Sequence, residues 1–175
     1  NNTHVCDIHH SYNDADNEDF RIINYEKLEV VYSEMFNNFF RKELHTANDF
    51  RFDFSIVNYT AMTEGQWFPV HNHIDTDDNF ASIHYLNFKK GHNLTCFVNP
   101  ATFAPFIKYI QPELNVILDN SVPENSYIWS HFKVPVKEDD MIIFPAVLNH
   151  EIGVQGPTKE PRITISSNVK IREEK

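Results

Sequence analysis

Between residues 25 and 45 the apolar side chains recur at helical spacing. Leu28, Tyr32, Met35, Phe36, Phe39 and Phe40 fall on one wide stripe, the pattern of an amphipathic helix that buries one face. Asn24 stands where an N-cap belongs and Glu26 falls in the first turn, while Arg41 and Lys42 sit near the C-terminal end of the helix dipole. Such a helix braces the outer face of a sheet, and its aromatic stripe reads as core. Elsewhere the period changes to that of strands. Phe52–Tyr59, the aromatic and apolar run Gln66–Val70, Leu94–Val98, Tyr127–Val134 with Trp129 and His131, and the apolar run Met141–Phe144 are all short and bounded by turn residues. His150 opens or immediately precedes a further short strand. From Arg162 onward the alternation is clean: Arg162, Thr164, Ser166 and Asn168 share one face, with Ile163, Ile165 and Ser167 on the other. Polar groups at every second position of an Ile-rich strand predict a face that lines a polar cavity. Residues 101–126 are less regular. Phe103, Phe106, Tyr109 and Ile110 suggest a short helix interrupted by Pro105, and Asp119-Asn120 and Pro123-Glu124-Asn125 suggest loops. An insertion of that length between strands is a usual place for substrate contacts.

Composition narrows this picture. A chain of 175 residues, 41% hydrophobic and with fifteen Phe, is large enough for one aromatic-rich core. We divide it into a polar, Asn-, Asp- and His-rich lead-in over residues 1–20, expected to be poorly ordered, and a single domain over 21–175. No run of eighteen apolar residues occurs, so no membrane span is expected. A formal charge of −10 argues against general nucleic-acid binding, which needs a basic face. Cys6 and Cys96 form no disulfide framework, and a cytoplasmic location is the simpler expectation. Nothing in the sequence sets the oligomeric state.

The chemistry lies in four positions. His73 and Asp75, two residues apart, share a face if they sit on a strand, and His150 supplies a second imidazole. Two imidazoles and one carboxylate on one side of a divalent metal leave its other side open, the arrangement associated with non-haem Fe(II) oxygenases. Arg162, twelve residues past His150, carries a planar, permanently charged fork suited to a small dicarboxylate. His71 falls at the same spacing as His73 and Asp75. It is the alternative third ligand, or else a neighbour of the metal site.

Three segments carry a family resemblance: Asp140-Met-Ile-Ile-Phe-Pro-Ala-Val-Leu-Asn-His150, then Arg162-Ile-Thr-Ile-Ser-Ser-Asn168, and upstream Ser82-Ile-His-Tyr-Leu-Asn87. Together they resemble the 2-oxoglutarate/Fe(II)-dependent dioxygenase superfamily, nearest to the small prolyl-4-hydroxylase-like proteins of phages and bacteria, over roughly residues 52–100 and 127–171. The resemblance implies a mainly β protein, a double-stranded β-helix (jelly roll, cupin-like) with an N-terminal bracing helix. It implies Fe(II) held by His73, Asp75 and His150, and 2-oxoglutarate as cosubstrate, with Arg162 on the distal carboxylate aided by Tyr85 and Thr164, and with Tyr59 near the carboxylate beside the metal. The activity implied is hydroxylation of a C–H bond on a small molecule or peptide, a prolyl or other amino-acid residue among the options. Two other classes fit the same ligands: a cupin-like metal-binding protein without oxygenase activity, and a metal-dependent hydrolase or isomerase. The first has no need of Arg162; the second would use zinc or manganese and a general base near the open site.

Overall fold

The structure is a computed structural model that describes residues 9–10, 24–43, 49–74, 76–101, 106, 109, 112–119 and 121–174. Two antiparallel sheets dominate it. The first is built from β1 (His9–His10), β2 (Phe50–Met62), β9 (Arg162–Glu173), β4 (Phe80–Asn87) and β7 (Met141–Pro145), in that spatial order. The second is built from β3 (Phe68–His71), β8 (His150–Ile152), β5 (Thr95–Val98) and β6 (His131–Lys133). The strand period decides how they meet. Ala81, Ile83 and Tyr85 of β4 and Phe144 of β7 point off the first sheet and pack with Phe97 of β5 and Phe132 of β6 from the second. The intervening residues of the same strands, Phe80, Leu86, Met141 and Ile143, face the opposite way and join a separate cluster with the helix. No helix among the described residues is long and apolar enough to cross a membrane.

That helix, α1 (Tyr25–Lys42), lies where its stripe predicts. Asn24 caps it, accepting a hydrogen bond from the Lys27 amide at 3.0 Å. Tyr32, Phe36 and Phe40 are fully buried against Phe50, Tyr59, Ile165 and Val169 of the first sheet. Phe36 alone meets the rings of Tyr32, Phe40, Phe52 and Phe54 at centroid distances of 5.2–6.4 Å, and burying a ring of this size contributes about 1.5–3 kcal/mol. The Tyr32 hydroxyl bonds His84 Nδ1 of β4 at 2.7 Å, so the phenol finds its partner inside the contact. Burial raises the Tyr32 hydroxyl pKa and lowers that of His84, which favours the neutral pair.

Several boundaries differ from the pattern reading. His9–His10, inside the expected lead-in, pair with Thr60 and Ala61 as an edge strand. The strand expected over Tyr127–Val134 is shorter. Pro123 starts a 3-10 helix that runs to Ile128, because proline at a first helical turn gives up no needed N–H, and only His131–Lys133 pair with β5. The same helix replaces the loop expected at Pro123–Asn125. The helix suggested around Phe103–Ile110 falls mostly outside the described residues; beyond it the structure has a four-residue helix, α2 (Leu114–Ile117).

Candidate metal centre

β3 ends at His71, and the chain then turns. The His73 carbonyl accepts from both the amide and the hydroxyl of Thr76, at 3.1 and 2.8 Å, and His73 lies beyond the end of β3 rather than on the strand expected there. Strand alternation therefore does not position His73. Two cross-links do: the His73 amide donates to the Ala146 carbonyl at 2.9 Å, and Asn72 Nδ2 donates to Asn149 Oδ1 at 2.6 Å. Each asparagine immediately precedes a histidine, and their bond ties the β3 end to the β8 start. His71 and His150 are themselves cross-strand partners.

The result is a group of three imidazoles. One ring nitrogen from each of His71, His73 and His150 lies within 4.8 Å of the other two. Nitrogens that share one ion at about 2.1 Å lie roughly 3.0–3.4 Å apart on one side of it, so side-chain shifts of at most about 2 Å would bring all three onto a metal. The ring of His150 lies 4.1 Å from that of His71 and 5.5 Å from that of His73. Their tautomers are set from behind. His71 Nδ1 lies 2.9 Å from the Pro69 carbonyl and His150 Nδ1 lies 3.0 Å from the Leu148 carbonyl. A carbonyl oxygen only accepts, so Nδ1 carries the proton and Nε2 keeps its lone pair for a ligand. Burial also holds the rings neutral: it lowers the pKa of His71 and His73, and takes His150, which His71 also disfavours as a cation, to about 4. Neutral, pre-aimed nitrogens are the form a metal binds. Among the described residues no carboxylate joins the three, and Asp75 lies outside those residues.

The histidines stand at a cavity of about 380 Å³ between the sheets. Its polar wall comes from Asn58 and Thr60 of β2 and Thr164, Ser166 and Asn168 of β9, so the alternation in β9 lines a cavity as its pattern predicts. Asn168 Oδ1 is buried there without a hydrogen-bond partner. Phe68, Ile83, Phe144 and Ile152 supply the apolar part of the wall. Phe144 sets its ring edge against His150 at 4.8 Å.

Arg162 occupies the end of the same β9 row, with no exposed surface. Its Nε donates to the Asn93 carbonyl at 3.1 Å, Nη2 to Thr95 Oγ1 at 3.1 Å, and Nη1 to Thr164 Oγ1 at 3.4 Å. The Tyr85 hydroxyl donates to the same Thr95 oxygen at 2.8 Å, and the guanidinium carbon lies 5.1 Å from the centre of the Tyr85 ring. Burial pushes the Arg162 pKa below its ordinary value, and Tyr85 opposes this. Every partner is neutral: among the described residues no carboxylate pairs with this cation. An isolated buried charge is costly unless an anion joins it. Its separation from the histidines can be read from β5, where Phe97 pairs with His150 and Thr95 with Ile152. Arg162 thus anchors two residues along from His150, roughly 7 Å of strand.

Tyr85, Thr164 and Arg162 are therefore brought together, whereas Tyr59 is not. Its ring packs in the helix-side cluster, on the face of β2 opposite Asn58 and Thr60. Sequence reasoning missed Asn93 and Thr95, which hold Arg162, and the cavity residues Asn58 and Thr60. The polar alternation Asn58–Thr60 was a usable signal. Asn93 and Thr95 carried none, because they meet Arg162 only across the two sheets.

No family model and no curated protein matches the chain. Among solved structures, a prolyl-4-hydroxylase from Pseudomonas putida is 10% identical with a TM-score of 0.48, over 85% of this chain and 64% of that one. A 2OG-Fe(II) oxygenase family oxidoreductase from Burkholderia pseudomallei is 10% identical with a TM-score of 0.46, over 79% and 57%. An RmlC-like cupin protein from Desulfovibrio desulfuricans is 12% identical with a TM-score of 0.31, over 73% and 76%. The chain spans less than two thirds of the length of the first two.

Proposed function

We propose that the protein is an Fe(II)- and 2-oxoglutarate-dependent dioxygenase built on a jelly-roll core. The observation that carries this reading is Arg162, a buried cation whose partners among the described residues are all neutral, held about two strand residues from His150 of the three metal-competent histidines. A metal and an anion-binding fork at that separation suit a small diacid, one end at the ion and the other at the guanidinium. A cupin-like metal-binding protein or a zinc hydrolase would account for the histidines and leave the buried arginine without a purpose.

In this reading His73 and His150 donate neutral nitrogens to the ion, and Asp75 or His71 completes the set. We assign Asp75, since three neutral imidazoles alone would leave a dication without an anionic protein ligand. When bound, Fe(II) and 2-oxoglutarate supply the oxidative chemistry, in which R–H, O2 and 2-oxoglutarate give R–OH, succinate and CO2. Arg162 holds the distal carboxylate, Thr164 hydrogen-bonds beside it, and Tyr85 orients the fork through Thr95. Thr60, across from Thr164 on the cavity wall, faces the cosubstrate where Tyr59 does not. Phe97 and Phe144, against His150, keep water from its buried side.

The test is direct. Anaerobic protein with Fe(II) and 2-oxoglutarate should show a weak visible absorption band that either component alone lacks, and admitting O2 should release succinate slowly even without a prime substrate. Folded, metal-loaded protein that gives neither is not such an enzyme.

A further inference from the structure

A second, smaller cavity lies on the other side of Phe144. It measures about 170 Å³ and is lined by Phe97, Phe132, Val134, Ile142, Ile143, Phe144 and Leu148. Every residue in that lining has a hydrocarbon side chain, although that of Ile143 turns toward the helix-side cluster. The cavity opens where the edge strands of the two sheets, β6 and β7, face each other. Phe144 also lines the larger cavity, and its ring touches both Phe97, at 4.9 Å, and His150, at 4.8 Å. One aromatic ring therefore separates an apolar pocket from the candidate metal centre.

Size and chemistry restrict what could enter. Pockets for drug-sized ligands start near 300 Å³ and present a few polar anchors. A closed cavity of about 150 Å³ lined by Leu, Ile and Phe stays dry and takes up small apolar molecules such as benzene or xenon; this pocket has that size and lining but is open at the sheet edges. Water gains no hydrogen bonds from this lining, whereas a small uncharged molecule loses little by leaving water. We infer that this pocket is a binding site for a small apolar gas, and that it delivers O2 to the His150 side of the centre past Phe144. The delivery role rests on the oxygenase reading given above; the gas site itself does not.

The experiment has two arms. In the first, crystals pressurised with xenon should show the gas beside Phe97, Ile142 and Leu148, and xenon titration followed by NMR should shift the same side chains. Val134→Phe and Ile142→Phe, two independent ways to fill the space, should each abolish the signal while cooperative thermal unfolding is retained. In the second arm, both variants should raise the KM for O2 at least threefold and leave the KM for 2-oxoglutarate unchanged, a split that a general loss of folding would not produce. Absence of xenon from the wild-type pocket overturns the inference whatever the activity. Xenon binding with an unchanged KM for O2 in both filled variants overturns delivery. Xenon binding in a wild-type protein that forms no succinate overturns the oxygenase reading, and delivery with it, while the gas site stands.

Discussion

Replacing Arg162 with leucine tests the site more sharply than any other single change. The guanidinium is fully buried and makes three hydrogen bonds to neutral oxygens. A carboxylate seated against it would gain a charge-assisted contact, each such hydrogen bond being worth roughly 1.5–3 kcal/mol. Losing the upper part of that range weakens binding by about a hundredfold. Ligand-induced stabilisation converts this into a melting temperature. With 2-oxoglutarate at about 100 times its Kd, the anaerobic Fe(II) protein should gain about 2.7 kcal/mol. For a domain of this length that is a rise in Tm of roughly 5–10 °C. In Arg162→Leu the same concentration would only match the Kd, giving about 0.4 kcal/mol and a rise near 1 °C. Without cosubstrate the two proteins should differ less, because leucine removes the cost of burying a cation while leaving the Asn93 carbonyl short of a donor. Metal affinity, measured by titration, should not change. A folded variant that keeps the full 2-oxoglutarate shift, or that loses the metal as well, would refute the assignment of the anion to Arg162.

The third metal ligand is decided by a pair of variants. Asp75→Ala should abolish tight Fe(II) binding, while His71→Ala keeps the metal with activity about 10–100-fold lower; an exchange of the two outcomes makes His71 the ligand. The histidines also predict how stability follows pH in the metal-free protein. Burial takes His150 from 6.5 to about 4, so its contribution is fully present above 6.5 and is lost as the pH falls toward 4, amounting to about 3 kcal/mol. Urea midpoints should fall over that window and fall less in His150→Gln; equal slopes in the two proteins would show that His150 is not the group. Phe36→Ala, which empties the helix–sheet contact, should cost about 3–5 kcal/mol in chemical denaturation, and a loss of only a few tenths would mean that α1 does not clamp the sheet.

The helix was legible from its own residues. A 3.6-residue period, an asparagine cap and an aromatic stripe are local properties, and Asn24, Tyr32, Phe36 and Phe40 do in the structure what that pattern requires. The same holds for β9, where alternation alone separated the cavity face of Thr164, Ser166 and Asn168 from the helix face of Ile165 and Val169. His150 and Arg162 were visible as chemistry, although their surroundings were not. What the tertiary structure decided was long-range. His73 reaches His150 through two loop-to-loop hydrogen bonds spanning more than seventy residues, and no strand period encodes that. Arg162 finds Asn93 and Thr95 only because the second sheet folds over the first. Tyr59, one residue from a cavity-lining Thr60, faces the helix because successive side chains on a strand point opposite ways, and the bulge between Ile56 and Asn58 sets which face each takes. Local periodicity fixes which face of an element is apolar; only the packed sheets fix which polar groups on those faces come to share a cavity.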